Sequence, residues 1–260
     1  MKQVKKKDTG GTVAIIQARM GSSRLPGKVL LDVAGEPMLA RVVERTQMAK
    51  SLDKVVVATT NDPSDDWIVD LCDERGYAFF RGSEYDVLDR YYQAARVYQA
   101  SVIVRITADC PLIDPAVIDL TVGQFFENGV DFAANRLPPP WTRSYPIGLD
   151  TEVCSMDALE RAWREADLPR HREHVMPYLY EQEGRFQVLK VDHESDYGTL
   201  RWTVDTQEDL ALVRKIFEHF GGRNTFSWLE VVDLFKDSPD LAEINAGVQH
   251  KSVYDLDDRQ

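Results

Sequence analysis

Short apolar runs alternate with longer stretches of helical periodicity through the first half of the chain. Residues 13–17 (VAIIQ), 55–59 (VVVAT) and 102–107 (VIVRIT) are brief and rich in Val and Ile, which predicts buried strands; 77–81 reads as a further short one. Between and after them, residues 37–49, 65–75, 86–99 and 115–128 carry apolar positions at helical spacing. Strands alternating with helices predict βαβ units and a mostly parallel sheet, hence an α/β fold.

The second half is less regular. Residues 137–143 (LPPPWTR) form a proline-rich loop, suited to a flap or a sub-domain junction. Residues 150–154, 186–192 and 200–204 read as strands. Residues 156–166 and 171–183 read as helices, the latter containing Pro177. Residues 207–220 form an amphipathic helix closed by Gly221 and Gly222, and 225–235 begins another. The simplest division is a flexible segment at 1–11, one α/β domain over 12–246 with a β-rich insert near 136–192, and a polar tail at 247–260.

Composition narrows the function. The 260 residues suffice for one large domain with a substantial core. Lys and Arg number 31 against 43 Asp and Glu, a net charge of −12, which disfavours a nucleic-acid partner. No apolar run is long enough to span a bilayer, and the Lys-rich start leads into a strand rather than a signal-peptide core. Cys72, Cys110 and Cys154 are odd in number and widely spaced, which excludes a disulfide scaffold or a cysteine zinc site and fits a reducing cytoplasm.

Against that acidic background the segment after the first strand stands out. Gln17, Ala18, Arg19, Met20, Gly21, Ser22, Ser23, Arg24, Leu25, Pro26, Gly27 and Lys28 bring glycines, serines and three cations to one strand end. Ligands of open α/β sheets bind at that end. Glycines admit close phosphate approach, successive N–H groups make an anion nest, and Arg19, Arg24 and Lys28 add positive charge. The spacing is not that of a Walker loop: five residues separate Gly21 from Gly27, and Val29 stands where Ser or Thr would hold magnesium. The alternative is a basic surface turn.

Asp109 and Asp205 follow the predicted strands 102–107 and 200–204. Two carboxylates on one sheet edge, with phosphate oxygens and water, make a magnesium site. Asp209, one turn further on, suits a supporting role. Each aspartate also has a local reading: Asp205 or Thr206 as a helix cap with Glu208 or Asp209 completing a box, Asp109 as a turn former before Cys110 and Pro111.

The run ARMGSSRLPGK with the following VLLDVAGEPML resembles the CMP-sugar synthetase-like cytidylyltransferases, the spore coat polysaccharide biosynthesis protein F type in particular. The resemblance continues through TTND (59–62), RGS (81–83), DVLDRY (86–91), RITADCPLID (105–114), PIGLDTEV (146–153), REHV (172–175), LRWTVDTQEDL (200–210) and EINA (243–246). It implies a Rossmann-like nucleotidyltransferase α/β/α sandwich with a small dimerisation insert, working as a homodimer. It implies CTP as nucleotide, magnesium held by Asp109 and Asp205, and an acidic sugar of the 2-keto-3-deoxy type as acceptor. The resemblance and the loop chemistry together give Arg19, Lys28 and Asp109 as catalytic residues. Ala18, Gly21, Ser22, Ser23, Arg24, Thr59, Asn61, Arg81 and Ser83 join Arg19 and Lys28 in binding the nucleotide.

The acceptor is expected near the insert, on Arg105, Asp150, Glu152 and His174. Arg81, Arg105, Arg136, Arg143 and Arg172 offer planar recognition of an acid, and Trp141 and Tyr145 a sugar-packing face. Tyr91, Tyr92 and Tyr98 read as core and interface. Two rival readings stand: another nucleotide with a sugar-phosphate or phosphonate acceptor, and a non-catalytic sugar-nucleotide binding partner.

Overall fold

The computed structural model describes residues 10–138 and 142–249; Trp141, most of the N-terminal segment and most of the polar tail lie outside them. Strand β1 (Gly11–Gln17) is buried along its interior. Its odd residues Val13 and Ile15 face one core and its even residues Ala14 and Ile16 the other. That is the period of two, with both sheet faces covered, that a parallel sheet requires.

The chain then runs through a small hairpin, β2 (Asp32–Val33) and β3 (Glu36–Pro37), into α1 (Met38–Gln47). Next come β4 (Lys54–Thr60), α2 (Asp66–Arg75), β5 (Ala78–Gly82), α3 (Val87–Val97), β6 (Ala100–Thr107) and α4 (Pro115–Asn128). The hairpin's turn, Ala34 and Gly35 with φ of 52° and 90°, left no signal in the apolar pattern. Helix α4 coincides with its predicted span because both ends are marked. Asp114 accepts from Ala116 N at 2.8 Å, Pro115 opens the first turn, and Gly129 closes the helix at φ 61°.

The second half adds β7 (Phe132–Ala134), β8 (Glu152–Ser155), α5 (Met156–Glu165), α6 (Pro169–His174), α7 (Pro177–Tyr180), β9 (Val188–Lys190), α8 (Gln207–His219) and α9 (Trp228–Asp237). The seven-stranded sheet has the order β5-β4-β1-β6-β8-β7-β9. Strands β5, β4, β1 and β6 are parallel, and β8 runs antiparallel to β6 and β7. The segment 136–192, expected to be β-rich, contributes only two short strands to this same sheet; its other described residues form three short helices and the loops between them.

Two expected elements differ. Residues 171–183 do not form one helix, because Val175 breaks it with φ 69° and ψ −58° and Pro177 supplies no N–H. Met176 N donates to His174 O at 2.8 Å across Val175, a γ-turn of the rare hand on a buried β-branched residue. Residues 200–204 are not a ladder strand. They run alongside Ile147, whose N–H donates to Leu200 O at 2.8 Å and whose carbonyl accepts from Trp202 N at 2.7 Å. The approach is close because residue 148 is Gly: a Cβ there would lie 2.7 Å from Thr203 N.

The chain leaves β1 for β4 and β5 on one side, then returns to β6 on the other. The order therefore reverses between β1 and β6, and a crevice opens beyond their carboxyl ends. A third apolar cluster, built on Trp202, Phe217, Phe226 and Trp228, packs α8 and α9 beside that crevice.

Candidate active site

The crevice is a cleft of about 370 Å³. Ala18 and Ala108 carry the two central strands to its floor, with Ala108 N donating to Gln17 O and Ala18 N to Ala58 O, each at 3.1 Å. The loop from Arg19 to Lys28 forms one wall. Asp65, 1% exposed, pins it by accepting from Met20 N at 2.7 Å. Gly27, at φ 69°, lets the chain turn into the short 3₁₀ segment Lys28–Leu30, which aims Lys28 inward.

The Lys28 ammonium makes three bonds: to Asp109 Oδ2 at 2.8 Å, to Asp205 Oδ1 at 2.9 Å and to Val204 O at 2.8 Å. Burial by itself would lower its pKa, but the two carboxylates outweigh burial and the net direction is upward. The other oxygen of each carboxylate is held from behind. The Thr107 hydroxyl donates to Asp109 Oδ1 at 2.6 Å. Arg24 and Arg201 reach Asp205 Oδ2 at 2.9 and 2.8 Å. Burial would raise the Asp205 pKa; Lys28, Arg201 and Arg24 instead hold it well below the usual carboxylate range.

Beneath this layer lies a buried network. Asp209, with no exposed surface, accepts from Arg201 Nε at 2.9 Å and from Asn245 Nδ2 at 2.8 Å. It also accepts from the backbone N–H groups of Asp205 and Thr206, at 2.9 and 3.1 Å. Thr206, not Asp205, is the helix cap, and Asp209 completes the box. The Asp205 side chain is thereby left for Lys28.

Of the expected residues, Ala18, Arg19, Gly21, Ser22, Ser23, Arg24, Lys28, Arg105, Asp109, Asp150, His174 and Asp205 line the cleft. Thr59, Asn61, Arg81, Ser83 and Glu152 do not. The Thr59 hydroxyl donates to Asp65 at 3.1 Å inside the core. Arg81 is spent on Thr60 O, Asp66 and Asp62 O at 2.8, 2.6 and 2.9 Å. Asn61 N donates to Gly82 O at 3.0 Å, and Ser83 Oγ accepts from Asp86 N at 3.0 Å.

The acceptor group is divided by ion pairing. Glu152 binds Arg105, whose pKa it raises against the opposing effect of burial. Arg143 clasps Asp150 with contacts of 3.0 and 3.1 Å. Arg172 is bound to Asp86 at the start of α3, while Arg136 reaches the cleft. Tyr145 packs in the third apolar cluster, 5.5 Å from the Trp228 ring, and Tyr91 is buried in the core.

Sequence reasoning missed Glu84, Tyr85, Arg90, Thr203 and Glu173 as cleft residues. Arg90 had left a signal: it sits on the apolar side of α3 with Val87, Leu88 and Tyr91. Only 2% exposed, it is pushed down to about 10 chiefly by burial, with the charge of Arg19 adding to the fall. Two guanidinium groups near each other in one cleft favour an anion between them.

A switch-point cleft with a glycine-bearing cationic loop, backed by a lysine and two aspartates, has the chemistry of nucleotidyl transfer. The family model described as cytidylyltransferase matches residues 13–231, and the chain belongs to that family. It is 33% identical to the spore coat polysaccharide biosynthesis protein SpsF of Bacillus subtilis, over 88% of this chain and 95% of that one. A cytidylyltransferase from Leptospira borgpetersenii superposes with a TM-score of 0.84 at 33% identity, covering 94% of this chain and 99% of the other. A 3-deoxy-manno-octulosonate cytidylyltransferase of Trichlorobacter lovleyi is 40% identical over 45% of each chain. The enzyme class is thus nucleotidyltransferase on an α/β fold. No helix among the described residues is long and apolar enough to cross a membrane.

Magnesium suits the residues present. Asp109 and Asp205 aim one hard oxygen each at a common point, within hydrogen-bond reach of the same ammonium. Among the described residues no cluster of three or more ligating side chains is present, so phosphate oxygens and water would complete the shell.

Proposed function

We propose that the enzyme transfers CMP from CTP to an acidic sugar of the 2-keto-3-deoxy type and releases pyrophosphate, in surface polysaccharide or glycan synthesis. The observation that carries this reading is the convergence of Lys28, Asp109 and Asp205 beside the cationic loop. The names of the relatives support CTP and an octulosonate-like acceptor.

An acceptor hydroxyl oxygen forms the new bond to the α-phosphorus and gives up its proton to solvent water. The bond from that phosphorus to its β-bridging oxygen breaks, and pyrophosphate leaves with the electron pair. Arg19 and Arg24 hold the triphosphate, and the loop N–H groups take up its charge. Lys28 meets the charge that grows on the leaving group. Asp109 and Asp205 would hold magnesium, whose contribution when bound is to neutralise phosphate charge. Positioning and charge stabilisation account for most of the catalysis.

The test is pyrophosphate release in magnesium, with CTP, UTP, ATP and GTP each offered to octulosonic, nonulosonic and phosphonic acids. CTP with one sugar acid is the expected pair. Release with a different nucleotide or acceptor class would favour the first rival reading. No release with any pair, together with no CTP binding, overturns the reading.

Glu173 belongs at the acceptor side of this scheme. It lies beside His174 on the cleft wall, held there by the strained Val175 turn. Its Oε2 is buried with no hydrogen-bond partner among the described residues, while Asp109, Asp150 and Asp205 are each paired with a cation. A hydroxyl or amino group of the acceptor would satisfy it. Replacing Glu173 with Gln is expected to raise the acceptor KM about tenfold, the size of one lost charge-assisted bond. The KM for CTP should stay within twofold, about 0.4 kcal/mol. An unchanged acceptor KM removes Glu173 from recognition.

A homodimer accompanies the reading, and a monomer mass by light scattering at micromolar protein would remove it. The free, buried thiols of Cys72, Cys110 and Cys154 support a reducing cytoplasm as the place of work.

A further inference from the structure

Lys28 stands where a cation bound by both aspartates would stand. Its Nζ is 2.8 Å from Asp109 Oδ2 and 2.9 Å from Asp205 Oδ1, the two oxygens that face each other across the cleft floor. The outward oxygens are fixed independently of Lys28, by Thr107 on one side and by Arg201, which takes no part in holding the triphosphate, on the other. Lys28 can therefore withdraw without releasing the carboxylates from their orientation. Asp205 is fixed further through its backbone N–H, which donates to the buried Asp209 at 2.9 Å.

Magnesium binds carboxylate oxygens at about 2.0–2.1 Å. An ion drawn to these two oxygens would fall within the space the ammonium now fills, and two positive charges cannot share it. Lysine has the flexible stem needed to move, and its ammonium can exchange one set of acceptors for another. Its three present acceptors are two carboxylates and a carbonyl; the oxygens of a triphosphate replace all three.

We propose that Lys28 is an exchangeable plug: it fills the cation position in the nucleotide-free enzyme and passes to the triphosphate as the metal takes the carboxylates. This rests on the metal-nucleotide reading above and goes beyond it. The ammonium keeps the paired aspartates neutralised and closed to a bare divalent ion. Metal and nucleotide then bind as a unit, because each vacates or fills what the other needs. The coupling is reciprocal, so the nucleotide tightens the metal as much as the metal tightens the nucleotide.

Manganese, read by the loss of its free electron paramagnetic resonance signal, tests this on the full chain without turnover. Lys28→Met keeps most of the stem and removes the charge; Lys28→Gln is the second variant, and thermal unfolding checks that each is folded. Without nucleotide, both variants are expected to bind manganese at least tenfold more tightly than the parent enzyme. With a non-hydrolysable CTP analogue bound, the parent should gain at least tenfold in manganese affinity and the variants far less. Equal affinity of parent and folded variants for manganese alone overturns the plug. If the parent still gains affinity with the analogue in that case, the metal-nucleotide reading stands without it. If no protein binds manganese under either condition, the metal reading itself falls and takes the plug with it.

Discussion

Replacing Asp109 with Asn lowers kcat/KM for nucleotidyl transfer by about 10²–10³-fold while leaving the protein folded. The magnitude follows from removing a charge at the point where phosphate charge is redistributed; one lost stabilising group in such a site costs about 10²–10³. Asparagine retains an oxygen for the Thr107 hydroxyl, so the loop after β6 keeps its tie. Lys28 retains Asp205 and Val204 O. The Asp109 side chain is 26% exposed, so the stability change should be small. Pyrophosphate release measures the first quantity and the thermal midpoint the second. Turnover within tenfold of the parent would remove Asp109 from the catalytic set.

Replacing Asp209 with Ala destabilises the fold by about 3–5 kcal/mol, the usual loss when one partner of a buried ion pair is deleted. Arg201 directs Nε and Nη2 at Asp209 and is 8% exposed, so a buried guanidinium would lose both of these contacts. The N–H groups of Asp205 and Thr206 would lose their acceptor as well. Urea unfolding reads the change, and a loss below about 1 kcal/mol would show the network to be dispensable.

The same residue sets an acid limb. Burial acts to raise the Asp209 pKa, but Arg201, Asn245 and the Asp205 N–H outweigh it, and the folded value lies below the ordinary 3.8. Its contribution is therefore complete above pH 3.8 and fades as pH falls through the folded value. The parent should lose stability over that acid range more steeply than the Ala variant does.

The parts of the molecule that could be read beforehand are those where one local signal settles the outcome. Helix α4 had a capping Asp, a first-turn Pro and a terminal Gly, and its ends fell where these placed them. The cationic loop was legible because Arg19, Arg24 and Lys28 cluster after a strand in an acidic chain. What Lys28 touches was not legible: its partners lie 81 and 177 residues away. Thr59 and Arg81 misled for the converse reason. They stand at the correct sheet edge, yet acceptors on their own and neighbouring turns consume them. Residues 171–183 have helical spacing throughout; Pro177 marks a weak point in the sequence, but the backbone of Val175 places the break that turns Glu173 and His174 toward the cleft.

The contacts of Asn245 bear on where the catalytic unit stops. Its amide donates to Asp209 Oδ1 at 2.8 Å and to Arg201 O at 3.0 Å, tying the far end of the chain to the support under Asp205. The match to the family ends at residue 231, and the last strand of the sheet ends at Lys190. A fragment trimmed at 231 would keep the nucleotide loop and the whole sheet but lose the keystone beneath the aspartates, and one trimmed at 190 would lose Asp205 itself. The stretch from 232 to 245 is thus working machinery, and an excised domain or a fusion joint has to be placed beyond it.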